Sequence, residues 1–243
     1  TGIGAAMARR FAARGDRVAV CDANPEAVAQ LRQTDPEIQA HVADVTDEAQ
    51  MAAFLGAIEA EWGGADVVCA NAGIGGPAGK IEDLDYGAWQ SCIAVNLNGT
   101  FLTCRWAARV MRAQGSGLIL LTSSSAGLFG YPLRSPYAAA KWGIVGLTKT
   151  LAMELGDAGV RVNALAPGAV EGDRMERVLA NESAASGKPV EELRAHYVKS
   201  VSMRCWVNAD EIADMALFLA SPQAAKVSGQ VMSVDGHTET LVP

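Results

Sequence analysis

Residues 121–141, LTSSSAGLFGYPLRSPYAAAK, carry the decision about this chain. The segment opens at the end of an apolar run, Leu118 to Leu121, that reads as a buried strand. Three serines, Ser123 to Ser125, break the run, a loop containing glycine and proline follows, and the chain then enters a helix carrying Tyr137 and Lys141. Four residues apart on a helix, the phenol and the ammonium share a face about one turn apart. Ser124 lies 13 positions before the tyrosine, at the carboxyl end of the strand, where open α/β sheets place their ligands.

Together the three groups can do acid–base work. The ordinary tyrosine pKa of about 10 makes an unaided phenol a poor base near neutrality. A nearby ammonium favours the phenolate and brings that value down. The serine hydroxyl can hold a substrate oxygen within hydrogen-bond reach, about 2.6–3.2 Å, while the phenol moves the proton. A lone Y-x-x-x-K is most often an ordinary helix pair. The serine at this spacing after a buried strand is what points to chemistry.

Working outward, strands and helices alternate. Ahead of the segment come a helix from Gly2 ending at Gly15, a strand over Arg17 to Cys21 closed by Asp22, and a short strand over His41 to Ala43. A helix from Asp47 to Trp62 follows, then a strand over Asp66 to Ala70 that ends at Asn71-Ala72-Gly73. A long helical region, Tyr86 to Gln114, has Asn96 in its middle. Behind the segment, the Tyr137 helix runs to Leu155, and a strand from Val160 to Ala164 leads to Pro167-Gly168. Residues 169–206 are polar and helical in pattern, which suits a mobile lid. An amphipathic helix over Asp210 to Ala220 and a strand over Gln230 to Val234 close the chain. This alternation implies an α/β fold: a Rossmann-type, doubly wound, mostly parallel sheet in three layers. With no internal repeat or linker, residues 1–243 read as one domain.

A second constellation lies at the front. Gly2-Ile3-Gly4 at a helix N-terminus would let backbone N–H groups approach a pyrophosphate. Asp22, about 20 positions on and at the end of the next strand, is placed to grip a ribose diol and to repel a 2′-phosphate. NAD is therefore expected over NADP. A phosphate loop should itself follow a strand, so the first strand of the sheet is expected to be absent from this sequence, which would then start roughly a dozen residues late.

Composition narrows the field further. The formal charge of −7 argues against nucleic-acid backbone binding, and no apolar run approaches the roughly 18 residues of a membrane span. No signal peptide opens the sequence. Five scattered cysteines, Cys21, Cys69, Cys92, Cys104 and Cys205, read as reduced thiols of a cytoplasmic protein. The three histidines are too far apart in sequence to suggest a metal site.

In these motifs the chain resembles the short-chain dehydrogenase/reductase family over essentially its whole length. Gly2-Ile3-Gly4 is similar to the end of the family's T-G-x-x-x-G-I-G loop, and Asp44-Val45 to its adenine-contacting pair. Asn71-Ala72-Gly73 matches the N-A-G turn over the cofactor, and Pro167-Gly168 the turn beside the nicotinamide, with Val170 just beyond it. Asn96, Ser124, Tyr137 and Lys141 fall where the family keeps its catalytic tetrad, and Gly229-Gln230 with Val234-Asp235-Gly236 match its closing motif. Two positions depart from the pattern. Gly172 stands where the family often has a threonine that reaches the cofactor, and Trp142 is bulkier than usual after the lysine.

The resemblance implies an NAD-dependent enzyme interconverting a secondary alcohol (a polyol, sugar alcohol or hydroxy acid) and its ketone. Tyr137 would be the acid/base, Ser124 would position the substrate oxygen, Lys141 would lower the tyrosine pKa and hold the nicotinamide ribose, and Asn96 would anchor a relay water. A 3-oxoacyl-type reductase using NADPH is the neighbouring reading, and a cofactor-binding scaffold without chemistry the distant one. Substrate contacts are expected from Ser124, Ala126, Tyr131, Tyr137, Gly168 and the lid, with Arg134, Arg174 and Arg177 available to an anionic group. Excess apolar residues on the long helices, Trp89, Trp106, Met111, Trp142 and Met153, suggest a homo-oligomer, a tetramer by resemblance.

Overall fold

The computed structural model describes residues 2–240. Its first half contains α1 (Gly2–Ala13), β1 (Val18–Asp22), α2 (Pro25–Thr34), β2 (Ile38–Val42), α3 (Glu48–Trp62) and β3 (Val67–Ala70). It continues through α4 (Tyr86–Ile93), α5 (Gly99–Gln114), β4 (Gly117–Thr122), α6 (Ser135–Leu155) and β5 (Val160–Pro167). The last part holds α7 (Asp173–Ser186), α8 (Val190–Lys199), α9 (Ala209–Ala220) and β6 (Val231–Val234).

Among the described residues the pairings between these strands are all parallel, as the alternation of strands and helices requires. Among the described residues the strands make two ladders, β1–β2 and β3–β4–β5–β6, where one sheet was expected. Residues of both β1 and β3 line a common cleft. In the larger ladder Ala70 pairs with Leu121 and Leu121 with Ala164, so the carboxyl ends of three strands come level.

Strand β4 shows why the fold has three layers. Its side chains alternate between faces. Leu118 and Leu120 join Met7 and Phe11 of α1 and Ile212, Ala216 and Leu219 of α9 in one core. Ile119 and Leu121 join Cys104, Ala107 and Met111 of α5 and Ile144 of α6 in the other. Burial on both sides accounts for the unbroken apolar run.

Several boundaries differ from the sequence expectation. Strand β2 begins at Ile38, because Ile38 and Ala40 alternate into the core ahead of His41. Helix α2 is an element the sequence reading does not include. Asn24 caps it by accepting from the backbone N–H groups of Glu26 and Ala27, and Pro25 fixes its first turn. The long helix over Tyr86 to Gln114 is in fact α4 and α5 joined by a π-helical turn, Ala94–Asn98. Met111 is fully buried and Trp106 donates to Glu59, so neither belongs to an outward apolar face. None of the five cysteines is in a disulfide, and burial pushes the Cys69 and Cys104 thiols up to about 12.

Candidate active site

The site is assembled where β3, β4 and β5 end. Strand β4 delivers Thr122 and the serines, and the chain then makes a short 3₁₀ turn over Ser125–Gly127 before α6. Ser124 stands at the head of that turn, its Oγ accepting from the Ala126 backbone N–H at 3.2 Å. Helix α6 starts with Pro136 in its first turn and presents Tyr137 and Lys141 to the strand ends.

Lys141 is almost completely buried, and its Nζ donates to the Thr122 carbonyl at 2.7 Å while standing 5.5 Å from the Tyr137 ring centroid. Loss of solvation lowers its pKa from the ordinary lysine value, and the nearby Tyr137 opposes that shift. For Tyr137, burial works to raise the phenol pKa. Lys141, Arg174, a side-chain hydrogen bond with Ser124, and Arg134 work the other way and prevail, so the phenol lies below its ordinary value. The three groups singled out in residues 121–141 therefore do meet, in the electrostatic relation an acid–base phenol needs.

Asn96 is fully buried behind them, in the π turn. Its amide donates to the carbonyls of Cys92 (2.9 Å) and Ile74 (3.0 Å), which pins the side chain, while its Oδ1 is a buried acceptor with no partner. A Cβ on Gly73 would lie 2.6 Å from that oxygen and 3.5 Å from Lys141 Nζ. The glycine thus lets the N-A-G turn lie directly against both groups. π turns recur at functional sites because the extra residue re-aims a side chain.

One cleft of about 1860 Å3 is lined by Gly2, Ile3 and Gly4, by Asp22, Asp44 and Val45, by Asn71, Ala72 and Gly73, and by Pro167, Gly168 and Val170. Ser124, Tyr131, Tyr137, Lys141 and Arg174 line it too. Asp22 is exposed at the end of β1, its Oδ1 accepting from the Asn24 backbone N–H at 2.9 Å. Asp44 accepts from Thr46, and Asn71 accepts from Thr122 Oγ1 at 3.0 Å. Thr1 lies outside the described residues. No group of three or more His, Cys, Asp or Glu side chains among the described residues is placed to hold a metal ion.

Two expectations about the substrate side need correction. Ala126 is completely buried and does not reach the cleft, because the 3₁₀ turn folds it inward. Arg134 is not free for an anion: it is buried and paired with Glu182 of α7 at 2.9 Å. Arg174 and Arg177 do line the cleft, and neither makes an ion pair with any described carboxylate. Arg174 stands 6.0 Å from the Tyr137 ring centroid. Gly172 has φ of 126°, a conformation that side-chain-bearing residues rarely adopt. A threonine there would be strained, which gives the departure from the family pattern a backbone cause.

Sequence reasoning missed Glu182 of α7 and Tyr197 of α8, which reach Tyr131 beside the site. No local signal marks them, since their partners are far away along the chain.

Comparison with known proteins agrees with this geometry. A family model described as enoyl-(acyl carrier protein) reductase, of the short-chain dehydrogenase type, matches residues 1–237. Cis-4-hydroxycyclohexanecarboxylate dehydrogenase of Sinomonas cyclohexanicum is 37% identical, over 97% of this chain and 92% of its own. The crystal structure of NAD+-bound xylitol dehydrogenase superposes with a TM-score of 0.91 at 28% identity, covering 96% of this chain and 94% of that one. That of a variant actinorhodin polyketide ketoreductase with NADPH gives 0.90 at 32% identity, covering 97% and 92%. Family model, identity over nearly full length and matching architecture lead to one conclusion: the chain belongs to the short-chain dehydrogenase/reductase family and is an oxidoreductase acting on CH–OH groups.

Proposed function

We propose that this protein is an NAD-dependent dehydrogenase of a small secondary alcohol, in which Tyr137 is the general acid/base. The observation that carries the reading is Tyr137 packed against the buried Lys141 with Ser124 beside it, held where three strand ends meet.

The chain's own groups divide the work. Ser124 Oγ holds the substrate oxygen, and Tyr137 as phenolate takes the hydroxyl proton during oxidation. Lys141, fixed by the Thr122 carbonyl, keeps the phenolate form accessible. The partnerless Asn96 Oδ1 is suited to a relay water that carries the proton away from Lys141. A nicotinamide cofactor, when bound, supplies the hydride acceptor in oxidation and the hydride donor in reduction. The cleft fits such a group: Gly2, Ile3 and Gly4 at the N-terminus of α1 would face its pyrophosphate. Asp44, Val45 and the Asn71–Gly73 turn would flank the adenosine side, and Pro167, Gly168 and Val170 the nicotinamide side.

Asp22 supports NAD over NADP. Its exposed carboxylate at the end of β1 can accept from a ribose diol and would repel a phosphate there. Structural relatives have been solved with either cofactor, so this choice rests on Asp22. On the substrate side the reading assigns Ser124, Tyr131, Tyr137, Gly168 and Arg174. The free thiols suit a reducing cytoplasm, and exposed apolar residues on α5 and α6 support a homo-oligomer, a tetramer by family likeness.

The test is reduced-nicotinamide absorbance with NAD+ or NADP+ and a panel of secondary alcohols, polyols and hydroxy acids, with Tyr137→Phe as control. Turnover with NAD+ that the variant abolishes is expected. Preference for NADP+ would overturn the role of Asp22 and favour a reductase. Cofactor binding without turnover across a broad panel would favour a scaffold.

A further inference from the structure

The lid carries a charge that the mechanism does not use. Glu182 of α7 has no exposed surface, and Arg134, in the turn before α6, is 2% exposed. Charges this deep persist only when paired and hydrogen-bonded. Glu182 Oε1 accepts from Arg134 Nη1 at 2.9 Å and from the Tyr131 hydroxyl at 2.6 Å. The Tyr197 hydroxyl of α8 reaches both carboxylate oxygens, at 3.0 and 2.9 Å, and also contacts the Tyr131 hydroxyl. One carboxylate thus gathers the catalytic loop and both lid helices.

Arg134 extends the connection inward. Its Nη2 donates to the Gly75 carbonyl at 2.6 Å, in the loop after β3, and its guanidinium carbon lies 5.5 Å from the Tyr137 ring centroid. The residue before it, Leu133, has φ of 62°, and its carbonyl accepts from the Gly79 N–H at 2.9 Å. A non-glycine residue keeps that conformation only when its surroundings impose it.

We propose that Glu182 and Arg134 are positioning residues: a buried ionic latch that fastens α7 and α8 to the catalytic loop and sets a guanidinium against Tyr137. The effect on Tyr137 rests on the proposed function, whereas the fastening does not. A purely structural ion pair could be replaced by apolar residues with no consequence for chemistry. What distinguishes this one is that Arg134, of the two partners, stands beside the phenol. The groups facing Tyr137 are Lys141 from α6, Ser124 from the loop after β4, Arg174 from α7 and Arg134 itself. Those facing Arg134 are Glu182, Tyr131, Tyr197 and Tyr137.

The decisive variant is the double replacement Arg134→Met/Glu182→Leu, which leaves no lone charge buried. Glu182→Gln and Arg134→Lys are its conservative companions. Amide exchange is the first readout and needs no activity. Exchange across residues 173–199 is expected to speed up by about tenfold in the double variant and in Glu182→Gln, with β4 and β5 unchanged. The second readout is the pH profile of kcat/KM for alcohol oxidation. Loss of the cation raises the phenol pKa, so the alkaline rise should move up by about half a pH unit or more in the double variant. Arg134→Lys should restore most of that shift, and KM should worsen more than kcat as the lid loosens.

Wild-type exchange over the lid in both variants would overturn the latch. A pH limb that stays in place, with exchange accelerated, would overturn the role at Tyr137. If the double variant loses the protection of β4, Tyr197→Phe replaces it, since it removes one donor to Glu182 without stranding a charge. Unchanged exchange of α8 in that variant would again overturn the latch. Should the wild-type protein oxidise no alcohol, the functional reading fails while the exchange experiment still decides the fastening.

Discussion

A phenol partly withdrawn from water is an unpromising base, and at the scale of single residues the site is the answer to that difficulty. Burial raises the pKa of Tyr137, yet Lys141, Arg174, Ser124 and Arg134 together outweigh it. In the proposed mechanism the working form in oxidation is the phenolate. Activity toward alcohols should therefore rise with pH through an apparent pKa below the free-tyrosine value of about 10 and level off above it. In the reductive direction the protonated phenol is needed, so activity should fall through the same range. Lys141→Met is expected to move the oxidative rise to higher pH. Tyr137→Phe should cost about 10²–10⁴-fold in kcat. A Phe variant within about fivefold of wild type, with unchanged circular dichroism, would remove Tyr137 from the chemistry. The grouping of Ser124, Tyr137 and Lys141 was legible because their spacing is local to one strand end, one turn and one helix. Arg134 was not: its partner Glu182 is 48 positions away, and nothing near either residue announces that both are buried.

Elements are set by their ends as much as by their faces. Helix α9 opens with a capping box, Asn208 Oδ1 accepting from the Glu211 N–H and Glu211 returning a carboxylate to the Asn208 N–H. This helix and α1 cover one face of the larger ladder, so the cap is coupled to the core. Asn208→Ala should lower unfolding free energy by about 1 kcal/mol in urea titration, with an unchanged m-value. Helix α1 is tied to the turn after α2 by Arg9, which donates to both oxygens of Asp35. The Arg9 hydrogen bond, with help from Thr34, holds the Asp35 carboxyl down from 3.8 to about 2. A depressed carboxylate stabilises the fold above its unfolded pKa and loses that contribution as pH falls through the folded value. Asp35→Asn should therefore lower stability near neutrality and bring it level with wild type below about pH 2, as read by acid titration of circular dichroism. The Asp47 cap can be read from its residue type alone; Asn24-Pro25 carries the same signal, but the sequence reading passes over the helix it opens. The π turn could not be read so: Asn96 looks like an ordinary mid-helix asparagine until its amide is seen reaching Ile74, from another segment.

For the whole molecule, the alternation of strands and helices made layer order and strand direction readable before any coordinates. The division into two ladders depends on which strand edges meet, a relation that periodicity does not encode. The same limit governs assembly. Of the apolar residues expected to face outward, Met111 is spent on the core, whereas Trp142 is 50% and Met153 85% exposed along α6; Phe101 of α5, which the sequence reading does not single out, is 49% exposed. An exposed tryptophan and phenylalanine on packed neighbouring helices are costly surface for a monomer and ordinary surface for an isologous contact. In such a contact every substitution enters twice, once from each subunit, so one introduced charge meets its own copy or the same apolar patch. Trp142→Glu should shift sedimentation from an oligomer to a smaller species at micromolar concentration. Trp142→Phe, which keeps the apolar area, should leave it assembled. Trp142 does not line the cleft, so the Glu variant also asks whether the site stands on its own in one subunit: cofactor titration of the dissociated species answers that directly. A wild-type protein that sediments as a monomer would refute the assembly outright and leave the proposed chemistry at Tyr137 untouched.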